Sequence, residues 1–143
     1  MIFKEINVPL YHNINNQKRI IIISMTKVRE LTDTIIKGIQ EKKGQKISIV
    51  DLRGIEGAIC SYFVICQGNS PMQVEAITES IGDIVLSDMH DKPMHVIGLG
   101  VSQWVAMDYG DVIVHIFVPE LRAFYDIENL WQDAKLTKIP NLD

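Results

Sequence analysis

The segment Lys46 to Leu52 is apolar toward both faces of any strand it could form, at Ile47, Ile49, Val50 and Leu52, and Tyr62 to Cys66 is a second dense apolar run. Side chains of a strand point alternately to opposite faces, so runs of this kind require cover on both sides. The chain is therefore expected to be built around a central sheet with helices layered against it.

The flanking pattern supplies those helices. Between Thr26 and Lys43, Val28, Leu31, Ile35 and Ile39 recur at helical spacing, with Gly44 as the C-terminal stop. Ser70-Pro71 opens a second helix: Ser70 caps, Pro71 suits the first turn and Gln73 closes a capping box, while Val74, Ile77, Ile81, Ile84 and Val85 form the inner face. Met94 to Leu99 reads as a third strand. Trp104 to Asp108 and Val112 to Val118 form a hairpin through Tyr109-Gly110-Asp111, with Gly110 at the turn. Leu121, Phe124, Ile127 and Trp131 place a last amphipathic helix over 120–134. A helix crossover favours parallel strands and a hairpin antiparallel ones, so the fold class expected is α/β (α+β): a single mixed β-sheet of about five strands flanked by helices.

Length and charge narrow the function. A chain of 143 residues with 47% hydrophobic content suits one core; such a chain buries roughly two-thirds of its unfolded surface and needs neither a disulfide nor a metal. Cys60 and Cys66 lack the further ligands of a zinc site and read as free thiols. With 18 acidic against 14 basic residues, net −4, the chain is poorly suited to neutralising phosphates, so direct nucleic-acid binding is not expected and basic partners are. No apolar stretch approaches the roughly 20 residues of a membrane span. Residues 1–25 differ from the rest: Asn-rich, then Lys18-Arg19 and the run Ile20 to Ile23. They read as an extension, as a disordered tail or an edge strand, or as sequence upstream of a true start at Met25. The main domain is expected over 26–134, and residues 135–143 as a polar C-terminal tail.

Three segments carry a family resemblance: Tyr62-Phe63-Val64-Ile65-Cys66-Gln67-Gly68-Asn69-Ser70, Trp104 through Phe117, and Arg122 through Trp131. Together they resemble the Iojap family of ribosomal silencing factors, over roughly Thr26 to Ala134. The resemblance implies a nucleotidyltransferase-like fold without transferase activity, often a homodimer, acting in the cytoplasm. It further implies binding to ribosomal protein uL-fourteen on the joining face of the large ribosomal subunit, which blocks subunit association and lowers translation when nutrients are short. No cofactor is implied.

On this basis the candidate partner-binding residues are Trp104, whose large rigid surface suits an anchor, with Tyr62, Met107 and Tyr109 as weaker candidates. Glu75 and Glu79, four apart on the second helix and sharing a face with Asp83, form an acidic strip suited to a basic partner. Asp108, Gly110 and Asp111 are expected to serve the turn, and His115 to be a hydrogen-bonded structural histidine. Arg122, Asp126 and Glu128 read as a solvated helix face with local ion pairs. Two alternatives compete with silencing: a large-subunit assembly factor, and a residual magnesium-dependent nucleotidyltransferase using Asp108 and Asp111. The second is disfavoured because Gly68-Asn69-Ser70 only approximates a phosphate turn and no Asp-x-Asp pair is present on the neighbouring strands.

Overall fold

A computed structural model describes residues 16–142. Its elements in order are α1 (Asn16–Glu41), β1 (Gln45–Asp51), β2 (Tyr62–Gln67), α2 (Pro71–Met89), β3 (His95–Ile97), β4 (Trp104–Asp108), β5 (Val112–Phe117), α3 (Pro119–Tyr125), a 3-10 turn (Ile127–Asn129) and β6 (Lys135–Ile139). One mixed sheet runs β3-β4-β5-β2-β1-β6. Its one parallel pairing is β2 with β5, the pair that the α2 crossover separates in sequence; the other neighbours are antiparallel.

The two long helices, α1 and α2, lie on one face. Val28, Leu31, Ile35 and Ile39 of α1 and Val74, Ile77, Ile81 and Val85 of α2 bury against Val64, Cys66, Val105, Met107, Val112, Val114 and Ile116. Their close crossing depends on Gly38, where a Cβ would stand 2.9 Å from Ile81 Cα. Ser80 fixes the crossing by donating to the Gly38 carbonyl at 2.8 Å. Gln73 ties the ends together, since its side-chain amide donates to the carbonyls of Lys42 and Lys43 while its oxygen accepts from Asn69 N–H at 2.7 Å. The capping box thus reaches back to Asn69 rather than to Ser70, and Ser70 accepts from Gln73 N–H as expected.

Four expectations change. The sheet has a sixth strand, because Lys135–Ile139, expected within a tail, pairs along β1 from Ile47↔Ile139 to Asp51↔Lys135. Residues 16–25, expected as part of an extension with a tail or strand reading, are the first turns of α1; the remainder of that extension, 1–15, lies outside the described residues. At the end of α1 the left-handed position is Lys43 (φ 57°), and Gly44 is needed for space, because a Cβ there would collide with Ile39. Finally, the helix expected over 120–134 stops at Tyr125: Asp126 turns left-handed (φ 45°) and the chain continues as the 3-10 turn.

Candidate docking surface

The second face of the sheet is covered only in part. Over β1 and β2 it carries Val50, Leu52, Phe63 and Ile65, packed under Ile127, Trp131 and the 55–60 connection. Over β4 and β5 the register places Trp104 beside Phe117 and Ala106 beside His115. Trp104 stacks on Phe117 with 4.9 Å between ring centroids and meets Tyr125 of α3 at 4.9 Å. Its indole N–H donates to His115 Nδ1 at 3.1 Å. His115 in turn meets the Phe63 ring edge-on at 4.7 Å.

Two connections extend this aromatic group outward. In the β3–β4 loop, buried Ser102 (φ 54°) donates to Glu75 Oε1 at 2.7 Å and accepts from Gly100 N–H at 3.1 Å. That anchor leaves Leu99 and Val101 exposed. A Cβ at Gly98 (φ 100°) would collide with the Trp104 carbonyl oxygen, so the loop lies directly against the start of β4. Val118 N–H then bonds Gln103 O at 2.9 Å, and α3 follows at once, presenting Phe124 at 77% and Tyr125 at 48% exposure. Phe124 packs edge-on against Tyr125 at 5.0 Å. Ile97, 68% exposed, lies at the far edge, paired with Ala106. Ile97, Leu99, Val101, Phe124 and Tyr125 are thus exposed on the segments that lead into and out of the Trp104 group, a composition that marks recognition sites more than plain protein surface.

His115 is buried, and burial pushes its imidazole down to about 4. With Nδ1 accepting from Trp104, the proton sits on Nε2, which has no hydrogen-bond partner. A base whose folded value is depressed contributes its stability above the unfolded value and loses it as pH falls toward the folded one. Folding stability should therefore decline between about pH 6.5 and about 4 by roughly 1.4 kcal/mol per pH unit from this group. Urea melts of the wild type and His115→Gln across that window test this: equal slopes would show that His115 is not the group responsible.

Of the other candidate residues, Tyr62, Met107 and Tyr109 are buried on the helix-covered side, away from Trp104. Glu75 is engaged by Ser102, while Glu79 and Asp83 remain exposed on α2. Asp108 accepts from Gly110 N–H at 2.8 Å, and Gly110 adopts φ 89°. The backbone carbonyl of Asp111, rather than its carboxylate, accepts from Ser61 and Tyr62. Among the described residues no three His, Cys, Asp or Glu side chains converge as a metal cluster. Cys60 and Cys66 are free thiols, and burial pushes them up to about 11 and about 12.

Arg122, read in the sequence as part of a solvated face, is a largely sheltered staple. Nε and Nη2 grip the two Glu128 oxygens at 2.7 and 3.1 Å, Nη1 donates to Lys46 O and Gln67 Oε1, and Nη2 to Ser48 Oγ. The local ion pair expected is present, but both side chains are at most 16% exposed. Sequence reasoning also missed Phe124 and Tyr125 as surface, because helical periodicity placed Phe124 on an inner face that the break at Asp126 removes.

The fold is a small α/β domain with α1 and α2 on one face of the sheet and exposed aromatic side chains, Phe124 and Tyr125, beside the other. Residues 25–143 match the family model "Ribosomal silencing factor during starvation", and the chain belongs to that family. It is 38% identical over 100 residues to the ribosomal silencing factor RsfS of Bacillus subtilis, covering 69% of this chain and 82% of that one. To RsfS of Halalkalibacterium halodurans it is 32% identical over 111 residues, covering 78% and 93%. A crystal structure of a Chromobacterium violaceum protein superposes with a TM-score of 0.68 at 29% identity, covering 75% of this chain and 88% of that one.

Proposed function

We propose that this chain is a non-enzymatic ribosomal silencing factor that docks on the large ribosomal subunit, through ribosomal protein uL-fourteen, and blocks subunit association in the cytoplasm when nutrients are short. The observation that carries this reading is the set of exposed apolar side chains Ile97, Leu99, Val101, Phe124 and Tyr125 around half-buried Trp104 on a chain of the silencing family. Trp104 is its fixed floor, held by Phe117 and His115, and Tyr125 and Phe124 are its projecting anchors. Rigid aromatic anchors lose little conformational freedom on binding, which is why such residues dominate interface energetics. Glu79 and Asp83, exposed on α2, add long-range attraction to a basic ribosomal protein, a contribution that salt screens. The resemblance also carries a homodimer, and if the dimer used the same patch it would compete with the ribosome.

The deciding experiment adds purified protein to separated ribosomal subunits and follows joining on a sucrose gradient. Co-migration with the large subunit and a dose-dependent fall in joined ribosomes are expected. Co-migration without any effect on joining would replace silencing by a role in large-subunit assembly, and protein remaining at the top of the gradient would end both readings.

A further inference from the structure

Where α1 passes the start of β2, at the opposite end of the sheet from Trp104, lies a small cavity of about 160 Å³ that the docking function does not use. Clefts that hold drug-sized ligands run to roughly 300–1,000 Å³, so this one is scaled to a single chemical group. Its α1 wall carries Ser24 and Arg29, and Arg53 and Ser61 of the β1–β2 connection close it together with Tyr62.

Tyr62 joins the two walls. Its ring is buried with the Arg53 guanidinium 5.1 Å from the ring centroid, while its hydroxyl keeps access to solvent and makes no hydrogen bond among the described residues. Burial raises the phenol, the Arg53 charge opposes that rise, Asp51 adds to it, and Arg29 opposes it again. Guanidiniums from both walls therefore act on this one oxygen, which stays protonated at neutral pH and can donate.

The cations are only partly matched by carboxylates. Arg53 commits Nε and one Nη2 hydrogen to Asp51 at 3.0 and 2.7 Å, which leaves Nη1 and the other Nη2 hydrogen open. Arg29 forms no ion pair among the described residues. Asp111 also lines the cavity, but its backbone carbonyl is taken by the Ser61 and Tyr62 N–H groups and its charge acts on Cys60. Two guanidiniums, the phenol and the Ser24 and Ser61 hydroxyls supply more N–H and O–H donors than the roughly four lone-pair sites of a carboxylate accept. The three terminal oxygens and double charge of a phosphomonoester match them better.

We propose that the cavity between Arg29, Arg53 and Tyr62 binds the terminal phosphoryl group of a phosphomonoester. Arg29 and Arg53 balance its charge, the Tyr62 and Ser61 hydroxyls donate to its oxygens, and Met25 and Val28 on the same lining give the organic part of the ester an apolar margin. A pocket of this size takes one phosphoryl group and not a run of backbone phosphates, which agrees with a net charge of −4.

Calorimetry on the full chain at low ionic strength with inorganic phosphate, phenyl phosphate and dimethyl phosphate tests the site. Saturable one-site binding is expected from the first two, with dimethyl phosphate, which has one charge and two terminal oxygens, about tenfold weaker. Arg29→Gln should melt with the wild type, since it breaks no ion pair, and should bind phenyl phosphate about tenfold more weakly. Tyr62→Phe keeps the ring and both guanidiniums and should weaken binding about threefold. Lys27→Gln removes an equal charge from α1 away from this cavity and should leave binding within about twofold. Equal affinity for dimethyl phosphate, undiminished binding by Arg29→Gln, an equal loss in Lys27→Gln, or no saturable binding of phosphate or phenyl phosphate would overturn the assignment.

Discussion

Arg122→Ala is expected to lower folding stability by about 2 kcal/mol, read from urea denaturation at pH 7, because breaking a largely sheltered ion pair leaves its partner charge uncompensated. The guanidinium satisfies all five of its N–H groups on four residues drawn from β1, β2 and the 3-10 turn, so its removal also strands the Lys46 carbonyl, Gln67 and Ser48. The pH dependence identifies the cause. In the wild type, burial raises the Glu128 carboxyl, but the hydrogen bonds and charge of Arg122, with Ser48 helping, outweigh it and hold the group below its ordinary value. A depressed carboxyl contributes stability above its unfolded value, and that contribution is lost as pH falls through the folded one. Without Arg122 burial, the largest influence, is opposed only by Ser48 and the Lys138 charge, so the carboxyl rises and protonation relieves the variant. The deficit against wild type should therefore shrink between pH 7 and pH 4. A constant deficit would mean that Arg122 acts through packing alone.

The second large effect falls on docking. Replacing Phe124 and Tyr125 together by Ala should weaken large-subunit binding roughly a hundredfold, as expected when a central aromatic anchor worth about 2–3 kcal/mol is lost. The two side chains are 77% and 48% exposed, so the folded chain should tolerate the change with a loss of less than about 1 kcal/mol. Trp104→Ala is the less clean test: it removes the stack on Phe117 and leaves His115 Nδ1 without its donor. Wild-type affinity in a folded Phe124→Ala, Tyr125→Ala variant, measured by co-sedimentation, would move the docking surface elsewhere.

These two residues also show where the sequence is readable. Tyr62 to Cys66, Ser70-Pro71 and the hairpin through Gly110 announce themselves because local rules govern them: alternation, capping and turn geometry all act within a few residues. Arg122 does not, since its acceptors on Ser48 and Gln67 lie 74 and 55 positions away and nothing nearby distinguishes it from a surface arginine. The tail strand was illegible for a related reason. Lys135–Ile139 is exposed along nearly its whole length, so it carries no burial signature, and its strand character comes from the edge of β1. The break at Asp126 is likewise a tertiary decision: the Leu121, Phe124, Ile127 and Trp131 spacing is helical, but covering Phe63 with Trp131 requires the chain to turn. For the docking patch, Trp104 was visible and the α3 aromatics were not, because their exposure follows from that same turn.

The position of β6 has a consequence for how the molecule is made. β1 lies between β2 and the last strand of the chain, so one row of its backbone donors and acceptors stays open until residues 135–139 arrive. During synthesis α1 to α3 and the first five strands emerge before β6 does, exposing a strand edge of Ile47, Ile49 and Val50 of the sort that recruits other chains. Residues 135–139 act as a closing seam, because their pairing covers the edge of β1 that the earlier elements leave open. Lys135 and Lys138 on that seam then leave a charged outer border, which discourages a second sheet from continuing where the first one stops.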